Sequence, residues 1–286
     1  MRCSPWRRSQ DMTNLLSEVY DADRLANDPR TMDFLEAGER LLRRILLRDA
    51  RDSAEVRGRP PFEEVFAFLT RGDIVREAQR ARKEPPSLDA GNSPTVAAYR
   101  YRWRTQVGYL RDLVIWALCP RMERPNEIRY SNEIIDTVPA GGRLSDAVGE
   151  IAAKEVRSLK DDQAFRLQMI FQATLAHDPQ VADALHRIDK ANVEAWTDFA
   201  RQSYAKLGLT LRPGVTFEEI GCALHAAGEG VLFRAMLAPR PGRVPPPPDK
   251  LLALIAKALV IATADQGDGT TDEVLDQLVQ RHLPAP

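Results

Sequence analysis

Ser93-Pro-Thr-Val-Ala-Ala-Tyr-Arg-Tyr-Arg-Trp-Arg104 decides how this chain is read, because its second half sets three arginines among three aromatics and it runs directly into the apolar segment 105–119. Two periods compete there. Strict alternation would put Tyr99, Tyr101 and Trp103 on one face of an edge strand and the arginines on the other. The flanks are helical in character: Ala97 and Ala98 precede the alternation, and Val107, Leu110, Leu113, Val114, Ala117 and Leu118 follow it at helical spacing. The helix is therefore the reading adopted. At 100° per residue, Val96, Tyr99 and Trp103 fall within roughly 60° of one another and form an anchoring stripe. The opposite side carries Ala97, Ala98 and Tyr101, edged by Arg102 and Arg104. Ser93 suits the N-cap and Pro94 the first turn. Arginine forks match phosphates and base edges, and small residues beside them let a helix lie close to a nucleic-acid groove.

Outward from this stretch, helical periodicity dominates. Residues 32–48 place Phe34, Leu35, Leu41, Leu42, Ile45 and Leu46 on one side, an amphipathic helix, and residues 70–81 form either the continuation of a second helical run or a fresh helix capped by Thr70. Residues 83–92, with Pro85-Pro86 and Gly91-Asn92, are a break. Beyond a polar, proline-punctuated stretch, residues 144–159, 162–176, 179–207, 216–237 and 249–264 each carry a 3.6-type stripe, strand-like alternation is absent, and residues 267–269 open a short last helix or a frayed tail. The expected class is all-α, divided into an N-terminal extension (1–31), a DNA-binding module of helix-turn-helix type (32–119), a linker (120–143) and a helical-bundle domain for ligand binding and dimerisation (144–286).

Composition narrows the function. The chain has 286 residues and a formal net charge of −1, but residues 1–130 hold 24 Lys+Arg against 20 Asp+Glu and the remainder 16 against 21. A mildly basic front and an acidic back suit a nucleic-acid reader joined to a second module. No run approaches 18 uninterrupted apolar residues and no apolar run follows the N-terminal arginines, so neither a membrane span nor a secretory signal is expected and the cytoplasm is the default. Cys3, Cys119 and Cys222 form no C-x-x-C pair, and His177, His186, His225 and His282 lack metal-ligand spacing, so no metal is expected. The acid pairs Asp161-Asp162 and Glu218-Glu219 read as helix N-terminal acids, and there is no G-x-S-x-G, P-loop or G-x-G-x-x-G, so neither an enzyme nor a cofactor is expected.

Two regions together resemble the TetR family of bacterial one-component transcriptional regulators. The first is Asp33-Phe-Leu-Glu-Ala-Gly-Glu-Arg-Leu-Leu42, then Leu69-Thr-Arg-Gly-Asp-Ile-Val-Arg-Glu-Ala78, then residues 93–104 leading into Val107-Gly-Tyr-Leu-Arg-Asp-Leu113. The second, similar to a phrase of that family's regulatory domain, is Leu211-Arg-Pro-Gly-Val-Thr216, Ala223-Leu224 and Gly228-Glu-Gly-Val-Leu-Phe-Arg234. The chain departs from the pattern in its first 30 or so residues, in the long 49–68 segment and in the 81–92 segment that replaces a tight turn. The resemblance implies DNA contacts from Thr70, Arg71, Ser93, Thr95, Tyr99, Arg100 and Tyr101; Arg102 and Arg104 are added on charge geometry alone.

The resemblance also implies a homodimer whose two recognition helices read a palindromic operator in duplex DNA about 34–36 Å apart. The stripe of residues 249–264 agrees with dimerisation: Leu251, Leu252, Ile255 and Leu259 are the expected interface. A small apolar effector is expected among the C-terminal helices, with Met169, Phe171, Gln172, Trp196, Phe199, Cys222, His225 and Phe233 as candidate contacts. Gly228 and Gly230 inside a helix imply close helix approach or room for that ligand. The functional expectation is a ligand-responsive repressor. Its alternative is a TetR-like helical protein that has lost DNA binding and acts as an adaptor or small-molecule-binding protein.

Overall fold

The computed structural model describes residues 11–46, 66, 69–81, 94–122, 129–236 and 246–280. Among these the chain forms twelve α-helices and no strand; the lone extended pairing is a bridge between Leu211 and Ala264. The helices are α1 (Ala22–Leu25), α2 (Pro29–Leu46), α3 (Arg71–Ala81), α4 (Val96–Arg102), α5 (Gln106–Met122), α6 (Arg129–Ile135), α7 (Leu144–Lys160), α8 (Gln163–Leu175), α9 (Pro179–Leu207), α10 (Phe217–Met236), α11 (Pro248–Thr263) and α12 (Thr271–Gln280). They belong to two compact units. One comprises Met1–Arg121 with Gln163–Leu185; the other comprises Met122–Asp162 with His186–Pro286.

In the first unit α5 is apolar almost all round, and residues 112–120 are buried without a break, so it is an interior helix. It continues through Pro120 to Met122, past the Cys119 expected as its end. Against it lies α2, with Phe34, Leu35, Ala37 and Leu42 fully buried. The crossing depends on Gly38: a Cβ there would run into the Tyr109 hydroxyl and come within 2.9 Å of Leu113. Tyr109 uses that hydroxyl to donate to the Phe34 carbonyl at 2.9 Å. Polar groups are also paired in this core. Trp116 Nε1 donates to Glu39 at 2.9 Å and Arg43 Nη2 to the same carboxylate at 2.6 Å. Glu77 of α3 receives Arg40 at 3.4 Å and Arg44 at 3.1 Å, which ties α3 to α2.

Two boundaries differ from the sequence reading. The stretch expected as an extension contributes core: Met12, Leu16, Val19, Leu25 and Ala26 are buried, Tyr20 N–H donates to the Arg102 carbonyl at 2.8 Å, and Glu18 N–H donates to Asp112 at 3.3 Å. Residues 163–185, expected within the C-terminal domain, belong to the first unit, where Phe165, Leu167 and Phe171 of α8 are buried and Arg121 donates to Gln168 at 3.0 Å. The reason is common to both. An amphipathic stripe shows that a segment buries one face, not which neighbour covers it.

In the second unit α11 packs on α7 and α10, and α6 on α7. α6 lies inside the stretch expected as a linker; its two buried isoleucines, Ile134 and Ile135, pack with Ile151 and Phe199, a seven-residue helix too short to show a period in a polar context. α10 opens with a capping box: Thr216 N–H donates to Glu219 at 2.8 Å, and the Glu219 N–H donates to the Thr216 hydroxyl at 3.2 Å. Thr270 and Glu273 repeat the arrangement before α12. The Leu211-Arg-Pro-Gly phrase is a splice: Arg212, 2% exposed on its side chain, bonds Asp268 and the Gly269 carbonyl, and the chain turns at Gly214 with φ +84°.

Candidate functional site

Two surfaces of different chemistry stand out, one in each unit. In the first unit, α3 starts at Thr70, whose hydroxyl accepts the Asp73 N–H at 3.2 Å, and α4 starts at Thr95, whose hydroxyl accepts the Ala98 N–H at 3.0 Å. Thr95, not Ser93, is the N-cap; Ser93 lies outside the described residues. Gln79 of α3 donates to the Pro94 carbonyl at 2.7 Å, holding the start of α4 against α3.

α4 is anchored by aromatics. Tyr99 and Trp103 are fully buried with Phe34 and Tyr109, ring centroids 5.0–6.1 Å apart. Tyr99 donates to Gln106 at 3.0 Å, and Gln106 in turn to the Leu69 carbonyl at 2.6 Å. Burial pushes the Tyr99 phenol well above its ordinary range. Tyr99 is thus an internal fastener and not a contact residue. Arg102 corrects the charge-geometry assignment more sharply. It is 2% exposed, donating to Thr31 Oγ1 and to the Ala98 carbonyl at 2.9 Å each, and it pairs with Asp28. Burial pushes Asp28 up, but the bonds from Arg102 and from the Arg30 N–H outweigh it and hold the carboxylate below its usual range. Val96, expected on the anchoring stripe, is 41% exposed. The helix ends at Arg102 and Trp103 takes an extended conformation, φ −122° and ψ 116°, so the wheel that aligned Val96 with Trp103 does not run that far.

What faces outward on α4 is Val96, Ala97, Arg100 and Tyr101. Tyr101 is 51% exposed, meets Tyr20 edge-on at 6.3 Å and accepts a hydrogen bond from Arg24. The exposed Arg104 lies 4.6 Å over the Tyr20 ring. Arg71, half-buried, sits 6.0 Å over Tyr99. The aromatic–arginine surface therefore includes Tyr20 and Arg24 from a stretch that sequence reading set aside, and nothing local in the sequence links residues separated by about 80 positions.

The second unit holds a cavity of about 90 Å³ between α7, α9, α10 and α11. Its walls are almost wholly hydrocarbon, with Trp196 and Phe199 in T-shaped contact at 5.6 Å. Of the eight candidate effector contacts only these two line it. Met169, Phe171 and Gln172 belong to the first unit, where Phe171 packs on Phe66 at 6.4 Å. Cys222 and Phe233 are exposed, and His225 is buried away from the cavity, 3.3 Å from Asp189 and 3.6 Å from Glu229.

Two expected interface residues, Leu252 and Leu259, line the cavity instead, because that side of α11 faces α7. Leu251 and Ile255 are half-buried and do not line the cavity, while Leu254 at 64% and Ile261 at 66% are exposed. Gly228 makes no close helix approach: a Cβ there meets nothing within 4 Å, and the residue borders the cavity. Gly221 is the close-packing glycine, with Thr197 N and Val193 O of α9 each 2.9 Å from a Cβ position. Sequence reading also missed Ser203. It stands in the α9 series Trp196, Phe199, Ala200, Ser203, Tyr204, Leu207, and a polar residue at helical spacing within an apolar stripe was the available signal.

Among the described residues no group of three His, Cys, Asp or Glu could hold a metal ion, and no helix is long and apolar enough to cross a membrane. No protein-family model, no curated protein and no solved structure matches the chain.

Proposed function

We propose that this chain is a TetR-like, ligand-responsive repressor that binds duplex DNA as a homodimer. The observation that carries the reading is the outward face of α4: Ala97, Arg100 and Tyr101, flanked by Arg24 and Arg104, on a short helix held rigid by four packed aromatic rings. A small, arginine-edged, pre-organised helix face suits groove entry, and arginines at its margin suit phosphates. The apolar cavity in the other unit supplies a place for an effector, and the resemblance in the 211–234 segment supports the same class. Fluorescence anisotropy with labelled duplex libraries at two salt concentrations tests it. Arg100→Ala and Arg104→Ala should each weaken binding and reduce the log–log salt slope by about 0.9. Unchanged slopes in both variants, with wild type bound, would remove these residues from the interface.

The dimer is assigned to the outer sides of α10 and α11, where Phe233, Leu254 and Ile261 are each more than half exposed and the small residues Ala226, Gly230 and Ala258 are exposed as well. A stable homodimer buries about 800 Å² per partner, enough to cover such a stripe. Leu254→Asp combined with Ile261→Asp should give monomers with an unchanged melting temperature at low protein concentration, read by light scattering. A monomeric wild type at micromolar concentration would sink the palindrome model. The inward turn of Tyr99 and Arg102 favours the second reading, a small-molecule-binding protein without DNA affinity, and the anisotropy experiment separates the two.

A further inference from the structure

The cavity itself specifies a ligand class. Among the residues that line it, the one buried side-chain polar atom without a hydrogen-bond partner is Ser203 Oγ, in a residue 7% exposed, although a serine within a helix can bond the carbonyl one turn back. The other hydroxyls are spent. Tyr204 and Thr263 bond each other at 2.6 Å, and Thr263 donates onward to the Leu259 carbonyl at 2.6 Å. No Lys, Arg or His lines the space, and its one carboxylate-bearing wall residue is Glu155. An anionic head group entering here would lose its hydration with no positive partner to replace it. At about 90 Å³ the space is smaller than the roughly 150 Å³ that accommodates benzene in an engineered apolar cavity. Growth is open at Gly228, where a Cβ would meet nothing within 4 Å.

We infer that the cavity binds a small uncharged molecule, largely hydrocarbon, with one hydroxyl or carbonyl oxygen directed at Ser203. The assignment rests on the effector-site reading above for its regulatory consequence, while the binding itself is measured without DNA. The test titrates the full chain with 1-butanol, n-pentane and propanoate, which are close in size, and follows amide chemical shifts of α7 and α9. Butanol should bind in the millimolar range and propanoate should not. Ser203→Ala should weaken butanol about fivefold, the worth of one hydrogen bond, and leave pentane unchanged or tighter. Gly228→Leu should abolish both by filling the space, with the melting temperature retained or raised.

Propanoate binding as well as butanol, or a butanol-to-pentane ratio that Ser203→Ala does not change, would overturn the inference. If butanol binds as described and DNA affinity stays the same with and without it, the ligand class stands and the repressor reading fails.

Discussion

Arg102→Ala should destabilise the first unit by about 3–5 kcal/mol, because it deletes three donors from the interior and takes from the Asp28 carboxylate its buried guanidinium partner, leaving it the Arg30 N–H. In a unit of this size that lowers the melting temperature by roughly 10 °C. Arg100→Ala, two positions away on the exposed side of the same helix, should change stability by no more than about 0.5 kcal/mol. Arg102→Lys should recover little, since one ammonium cannot reach Thr31, the Ala98 carbonyl and Asp28 together. Thermal and urea unfolding of the three variants decide it. Were Arg102→Ala thermally silent and deficient only in DNA binding, Arg102 would have to leave its pocket to act at the surface, and the inward placement would be wrong.

The second large effect is a pH dependence set by Asp112. This carboxyl is 1% exposed, and burial pushes it up to about 7. The Trp103 Nε1–H at 2.8 Å and the Glu18 N–H at 3.3 Å pull the other way, and the nearby Glu18 carboxylate adds to the rise. The folded state therefore holds a proton that the unfolded chain releases near 4. Stability from this group is fully present below pH 4 and is lost as pH rises toward 7, by about 4 kcal/mol in all.

The depressed acids Asp28 and Asp178 act in the opposite direction, losing their contribution as pH falls below the ordinary carboxylate range, so among these described groups the window from 4 to 7 belongs to Asp112. Urea unfolding across that window should show stability falling with a slope near one proton. Asp112→Asn should flatten it, whatever its absolute stability, because an amide does not titrate. A wild-type curve as flat as the variant's would mean the carboxylate is ionised in the fold.

Both effects come from residues whose roles are invisible in a linear reading. Arg102 and Asp112 look alike on a helical wheel as charged positions near apolar ones; their environments come from residues 18 and 28, in a stretch set apart as an extension. The same limit split the effector candidates. Met169 and Phe171 are as apolar and helical as Trp196 and Phe199, yet α8 packs with the first unit while α9 walls the cavity. Leu252 and Leu259 were legible as buried, but the direction of burial was not.

Local spacing along the chain specifies the helical class and most helix positions. The periodicity of α2, α7, α9, α10 and α11 and the Thr70 cap act within one or two turns, so local spacing is sufficient to specify them. It also marked the aromatic–arginine stretch as a helix anchored through Tyr99 and Trp103. Long-range packing sets the rest: Arg102 turns inward, residues 11–31 complete the core, α6 forms, α8 joins the first unit and a cavity opens beside Ser203. Each of these is set by which surfaces meet across tens of residues, and hydrophobic burial, being non-directional, records in the sequence that a face is covered without recording by what.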